Sequence, residues 1–163
     1  MAHQNVFERI EKQVEQAGFR IDKQDRSRPW GGFFVIDETQ APLFIDTYFP
    51  HLSVADFVGY EKLSPKILIV APHKRLSWQY HFRRAEIWKL IGGKASVVTS
   101  DTDVQKIIRT LKIGEVVNLK QGERHRLVGM DEWGIVAEIW QHTDPKNPSN
   151  EDDIVRLDDD FGR

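Results

Sequence analysis

Residues 75–92 read RLSWQYHFRRAEIWKLIG, and this stretch decides the fold class. Side chains of a strand alternate between its two faces. Arg75, Ser77, Gln79 and His81 therefore share one face of the first half, and Leu76, Trp78 and Tyr80 share the other. In the second half Glu86, Trp88 and Leu90 fall together. A hairpin turn between His81 and Glu86 would set the carboxylate beside the imidazole. The first of these faces is unusually polar for the middle of a barrel.

Outward from this stretch, apolar runs follow one another at residues 43–45, 67–71, 76–82, 86–91, 95–99, 105–111, 116–119, 125–128 and 135–140. Turn signals at Gly92-Gly93, residues 101–103, Gly114 and Gly122 separate them. Many short strands at regular intervals predict an all-β sandwich or barrel. Upstream, residues 27–32 carry Pro29 and paired glycines, which break the pattern before Phe33, Phe34, Val35 and Ile36 read as a buried strand. Further upstream, Val6, Phe7, Ile10, Val14 and Ala17 recur at helical spacing between an Asn5 cap and Gly18. Residues 1–18 thus form an amphipathic helix appended to the barrel. Residues 53–60 read as one short helix across the barrel mouth. Residues 147–163 have the composition of a solvated extension, but Ile154, Val155, Leu157 and Phe161 mark a part that docks.

The totals bound the function. A chain of 163 residues has room for one domain, here residues 1–163. The formal net charge is −2 and no run of like charges precedes the acidic tail, which argues against a surface that tracks nucleic-acid phosphates. There is no cysteine, so any metal must be held by His, Asp, Glu or a neutral oxygen. The N-terminus MAHQNVFERIEKQ lacks the pattern of a secretory signal. No segment reaches the roughly 18 apolar residues of a membrane helix. The expectation is a soluble, cytoplasmic protein with no membrane partner.

A third polar element joins the first two between Gly114 and Gly129, where Gly122 precedes His125 in a turn leading into a strand. His81, Glu86 and His125 from three strands would make a facial triad, which leaves positions open on a divalent metal. Gln79 would add a neutral oxygen.

The order Gln79, His81, Glu86, Gly92, then Gly114, Gly122, His125 resembles the two motifs of the cupin superfamily, in which a histidine pair, a glutamate and a glycine precede a second motif ending in histidine. The match spans residues 66–141, with Gln79 in place of the first histidine, Lys120 where proline is usual and Gly129 where asparagine is usual. LSWQYHFRRAEIW is similar to the signature of type II mannose-6-phosphate isomerases, including the isomerase domain fused to mannose-1-phosphate guanylyltransferases. RPWGGF from Arg28, ERHRL around His125 and the closing EDDIVRLDDDFGR agree with that family in order. Phe82, Arg83 and Ile87 stand where it commonly carries further histidines. The resemblance implies a cupin double-stranded β-helix (a jelly-roll barrel) with an N-terminal α-helix. It also implies one divalent metal on Gln79, His81, Glu86 and His125, and a homodimer. Zinc is the first choice, with iron, nickel and manganese as alternatives.

An aldose–ketose isomerase needs a base, stabilisation of a developing oxyanion and an anchor for the phosphate. Glu138, flanked by apolar residues in the last strand, is the candidate base. Arg75, placed by alternation on the ligand face, is the first phosphate anchor and Arg156 of the tail the second. Ser77 and Trp88 share the pocket face and are candidate substrate contacts. Two other readings use the same residues. A non-haem iron oxygenase needs two histidines and a carboxylate, and a sugar- or nucleotide-sugar-binding cupin needs the scaffold without turnover.

Overall fold

The computed structural model describes residues 3–57 and 62–162. Among these the elements run α1 (His3–Gln16), β1 (Ile21–Arg28), β2 (Gly31–Ile36), α2 (Ala41–Tyr48), β3 (Lys66–Val70), β4 (Trp78–Tyr80), β5 (Arg84–Ser100), β6 (Ile107–Thr110), β7 (Val116–Leu119), β8 (Arg124–His142) and β9 (Val155–Asp158). The expected all-β body with an N-terminal helix is present.

α1 buries Val6, Phe7, Ile10 and Val14, one stripe of its surface. It starts earlier than expected, so Asn5 lies inside it and is not its cap. Its end is a paired motif: Gly18 N–H donates to Glu15 O at 3.0 Å and Phe19 N–H to Val14 O at 3.2 Å. Gly18 has φ +95°, the left-handed conformation this ending requires.

Two long strands organise the barrel. β5 and β8 pair antiparallel from Arg84↔His142 to Ser100↔Arg124. Sequence reading divides each in two and places a turn at Gly92-Gly93; the chain instead continues through as a single bent strand. Register slips between Leu90 and Gly92, and between Gly93 and Ala95, are bulges that bend a strand without ending it. Gly93 has φ +65°, and a Cβ there would lie 1.7 Å from Trp133 O, so the bend requires glycine. Beyond the bend β5 exchanges its outer partner β7 for β6. β8 likewise pairs with β4 at its start and with β3 near its end.

Three further expectations change. The run at 43–45 lies in α2, not in a strand: Pro42 sits in the first turn, and Ala41, Phe44 and Ile45 are buried at helical spacing. So short an apolar run does not carry its own period. β1 was not expected, because IDKQDRSR is polar and half exposed; the break at 27–32 is a tight turn, with Arg28 paired to Gly31 across Pro29-Trp30. The helix over 53–60 is a short 3-10 turn, Val54–Asp56, and residues 58–60 lie outside the described residues.

Alternation sorts two cores. Ile67 and Ile69 of β3 and Ile135, Ala137 and Ile139 of β8 face the helices. Leu68, Val70 and Val136 face inward, with Trp88, Leu90 and Leu127. Strands buried on both faces read as continuous apolar runs, which is why residues 67–70 are so legible. The tail docks as β9 on β4, with Gln79 opposite Arg156 and Tyr80 opposite Val155. No helix among the described residues is long and apolar enough to cross a membrane.

Candidate metal centre

β4 and β5 do not form the expected hairpin. β4 pairs with the start of β8 at Gln79↔His125, and β5 begins against its far end at Arg84↔His142. The chain between them, residues 81–83, crosses from one to the other. His81 and Glu86 meet by that crossing: His81 Nε2 lies 3.4 Å from Glu86 Oε2, and His125 Nε2 lies 3.2 Å from Glu86 Oε1. The three residues are buried, and one ligand atom from each falls within 4.8 Å of the others.

Both imidazoles are held in one tautomer. His81 Nδ1 is 2.7 Å from Asp153 O, and His125 Nδ1 is 3.0 Å from Glu123 O. A carbonyl only accepts, so each Nδ1 carries the proton and each Nε2 turns a lone pair inward. Glu86 Oε1 and His125 Nε2 are buried without a hydrogen-bond partner among the described residues. Two orphaned, electron-rich atoms facing each other in a buried site are costly, and a divalent cation satisfies both. Two imidazole nitrogens and a carboxylate are a donor set for such an ion, with positions left open.

Gln79 stands beside the group. Its Oε1 accepts from Ser77 Oγ at 2.5 Å and its Nε2 lies 3.3 Å from His81 Nε2. Ligation by Gln79 requires the amide turned over, a change that Ser77 tolerates because a hydroxyl also accepts.

Arg84 is the residue that sequence reading missed here. It is buried, donates from Nε to Glu86 Oε2 at 2.9 Å and stacks 3.8 Å above Trp140. Its Nη1 reaches Ser149 Oγ and Asn150 O at 2.9 and 3.0 Å. Strand parity could have found it, since 84, 86 and 88 share a face. Burial pushes the Glu86 carboxyl up, but its neighbours His81, Arg84 and His125 together outweigh it and hold it well below the usual carboxylate range.

The centre opens on a pocket of about 700 Å³. Ser77, Gln79, Glu86, Trp88, His125 and Glu138 are on its wall, with Arg156 of the tail. Glu138 is buried and receives two indole N–H groups, Trp88 Nε1 at 2.9 Å and Trp140 Nε1 at 3.3 Å. Burial, helped by the charge of Glu86, raises its carboxyl to about 7. Arg75 is the exception. Its guanidinium forks onto Asp160 at 2.7 and 2.9 Å, away from the pocket wall. Its backbone still bridges to Val128, so it is the Asp160 carboxylate, and not the strand, that takes the side chain from the pocket.

The tail closes the site from outside. Asp153 accepts from Phe82 N–H at 2.8 Å, Arg83 N–H at 2.9 Å and Ser149 Oγ at 2.6 Å, while its carbonyl holds His81. Arg126, fully buried, binds Leu76 O at 2.7 Å and the carboxylate and carbonyl of Asp158 at 3.2 and 3.0 Å.

Solved structures share this architecture at low identity. Oxalate decarboxylase from Bacillus subtilis matches at 16% identity with a TM-score of 0.58, over 83% of this chain and 30% of that one. Vicilin from hazelnut, Corylus avellana, matches at 15% and 0.55, over 85% and 36%. The capsular polysaccharide assembling protein CapF from Staphylococcus aureus matches at 16% and 0.53, over 86% and 32%. The chain therefore spans about a third of the length of these proteins, and the likeness establishes the cupin jelly-roll fold. No curated protein sequence matches the chain. The profile of the family described as mannose-6-phosphate isomerase C-terminal matches residues 46–159, which take in the triad, Glu138 and the docked tail, and the chain belongs to that family.

Proposed function

We propose that the protein is a metal-dependent aldose–ketose isomerase acting on a sugar phosphate, with mannose 6-phosphate as the first substrate to test. One observation carries this reading: a donor set for a divalent metal and a buried carboxyl raised to about 7 share one pocket. The family's description agrees with it.

Isomerisation moves a proton from C2 to C1 through an enediol, and the hydroxyl proton passes from O2 to O1 as the carbonyl passes from C1 to C2. Glu138 would take the C2 proton and return it to C1, and a carboxyl near neutrality suits both transfers. Trp88 and Trp140 hold its two oxygens, fixing which face of the sugar it meets. A divalent metal on His81, Glu86 and His125, zinc being the first candidate, would supply Lewis-acid stabilisation of the negative charge developing on the sugar oxygens. Arg84 keeps Glu86 ionised and so keeps it a ligand. Ser77 and Trp88 are proposed substrate contacts and Arg156 a second cation for the anionic end, since all three line the pocket.

The test is conversion of mannose 6-phosphate to fructose 6-phosphate by protein loaded in turn with zinc, iron, nickel or manganese. Metal-dependent conversion supports the proposal. Metal binding with no conversion of any sugar phosphate contradicts it and favours the binding-protein reading; iron-dependent oxygen uptake favours the oxygenase.

A further inference from the structure

We propose that Lys66, with Lys62 beside it, forms an anion subsite that takes the phosphate end of a phosphorylated ligand, the role that sequence reading gives to Arg75. The inference rests on the sugar-phosphate reading and deepens it by assigning the residues that read the charge.

Both lysines line the pocket. Lys66 enters from β3 with its side chain 13% exposed, while that of Lys62 is 46% exposed. Each ammonium lies 3.9 Å from the same atom, Oε1 of Glu151, whose side chain is 60% exposed. That distance is too long for a hydrogen bond, and an exposed carboxylate at such range contributes little. It does show where two cations converge on one oxygen. Aromatic faces supply the rest of their surroundings: Trp140 lies 5.6 Å from the Lys62 ammonium and 5.8 Å from that of Lys66, and Phe33 lies 5.6 Å from Lys66. Ring faces orient a cation without neutralising it. Two ammonium groups on aromatic walls, bridged loosely by one exposed carboxylate, are suited to a phosphate, which offers several charged oxygens at once.

Two other cations near the tail are already committed. Arg75 is forked on Asp160, and Arg126 is spent on Asp158 and the Leu76 carbonyl.

Register gives the distance to the metal centre. Lys66 pairs with Glu138, and Glu138 with Trp88, so the three form one row across β3, β8 and β5, with Glu86 two residues along β5. At ~4.8 Å between strands and ~3.4 Å per residue, the Lys66 and Glu86 backbones are about 12 Å apart. Both side chains rise from the same inner face of the barrel, so the two ends are separated by a span comparable to a six-carbon sugar carrying its phosphate at the far end. Glu138 lies between them, where the carbons to be deprotonated would pass.

Lys66 also lowers the Glu138 carboxyl by its charge, so the experiment must separate anion binding from tuning of that carboxyl. Titrate the full, metal-loaded chain with mannose 6-phosphate, mannose and inorganic phosphate by calorimetry, for wild type, Lys66→Gln, Lys66→Arg and Lys62→Gln, with melting curves to establish folding. The expectation is that Lys66→Gln weakens mannose 6-phosphate and inorganic phosphate by ~10-fold or more, as loss of a charged hydrogen bond would. It should leave mannose binding and metal content unchanged, Lys66→Arg should restore part of the loss, and Lys62→Gln should show a smaller one. Phosphate binding that is insensitive to Lys66, or an equal loss for mannose, would overturn the subsite. A change confined to kcat and its pH profile would do the same, assigning Lys66 to Glu138 instead. Lys66-dependent phosphate binding without isomerisation keeps the subsite and sinks only the isomerase reading.

Discussion

Two buried, histidine-bearing clusters lie side by side in this protein, and they differ in one respect. Around His142 every polar atom is matched: Nδ1 accepts from Ser149 N–H at 2.9 Å, Nε2 donates to Lys62 O, and neighbouring Asp153 accepts three hydrogen bonds. Around His125 the matching stops at Nδ1, and Nε2 faces an equally orphaned Glu86 Oε1. Folding alone explains the first cluster, since buried polar groups are tolerated when they are paired. It does not explain the second. The difference separates a histidine that holds the tail from one poised to hold an ion, although both are about 1% exposed.

Substitutions can break or sharpen that contrast. The largest effect is expected at Glu138. Glu138→Gln should lower kcat by about 10²–10⁴ while metal content measured by elemental mass spectrometry stays at the wild-type level; an active variant removes Glu138 as the base. Next is Asp153→Ala, which frees the segment whose carbonyl fixes the His81 tautomer. Metal affinity in a chelator competition should fall about 10- to 100-fold, the usual range for residues that orient a ligand. An unchanged affinity would show that the tail positions nothing at the centre.

At His142 the prediction reverses. His142→Ala leaves Ser149 N–H and Lys62 O unpaired and should cost about 1–3 kcal/mol in chemical denaturation, with metal stoichiometry retained in the folded fraction. Arg75→Ala should be the mildest change. Its ion pair with Asp160 is partly exposed, so about 1 kcal/mol or less is expected and KM for mannose 6-phosphate should hold; a large rise in KM would return Arg75 to the pocket.

The pH profile adds a sign. Glu138 acts as base only when ionised, so kcat/KM should rise with pH through the folded value of about 7. A bound divalent cation favours the ionised form and moves the inflection lower. Activity falling as pH climbs from 5 to 7 would contradict this assignment of Glu138.

Legibility followed periodicity. Residues 67–70 and 135–139 were plain because strands buried on both faces are apolar throughout, and His81, Glu86 and His125 could be placed from alternation and motif order together. What failed was context. Gly92-Gly93 signals a turn when read alone, whereas a paired neighbour converts it to a bend. β1 has no apolar face to announce it. Arg75 is drawn out of the pocket by Asp160 of the tail, a partner that alternation along one strand does not reveal. The tail was the hardest to judge, because it docks through Asp153, Asp158 and Asp160, residues that in isolation mean solvent, and not chiefly through Leu157, which is 36% exposed.

His81, Glu86 and His125 are a group that could hold one divalent metal, and direct titration tests whether they do. Metal-free protein, purified without a metal-binding tag, is titrated with cobalt(II) while its visible absorption is followed, alongside His125→Ala. The expected result is saturation at one equivalent with ligand-field bands in the wild type and none in the variant. No bands and no binding in the wild type, or equal binding in the variant, would show that they do not.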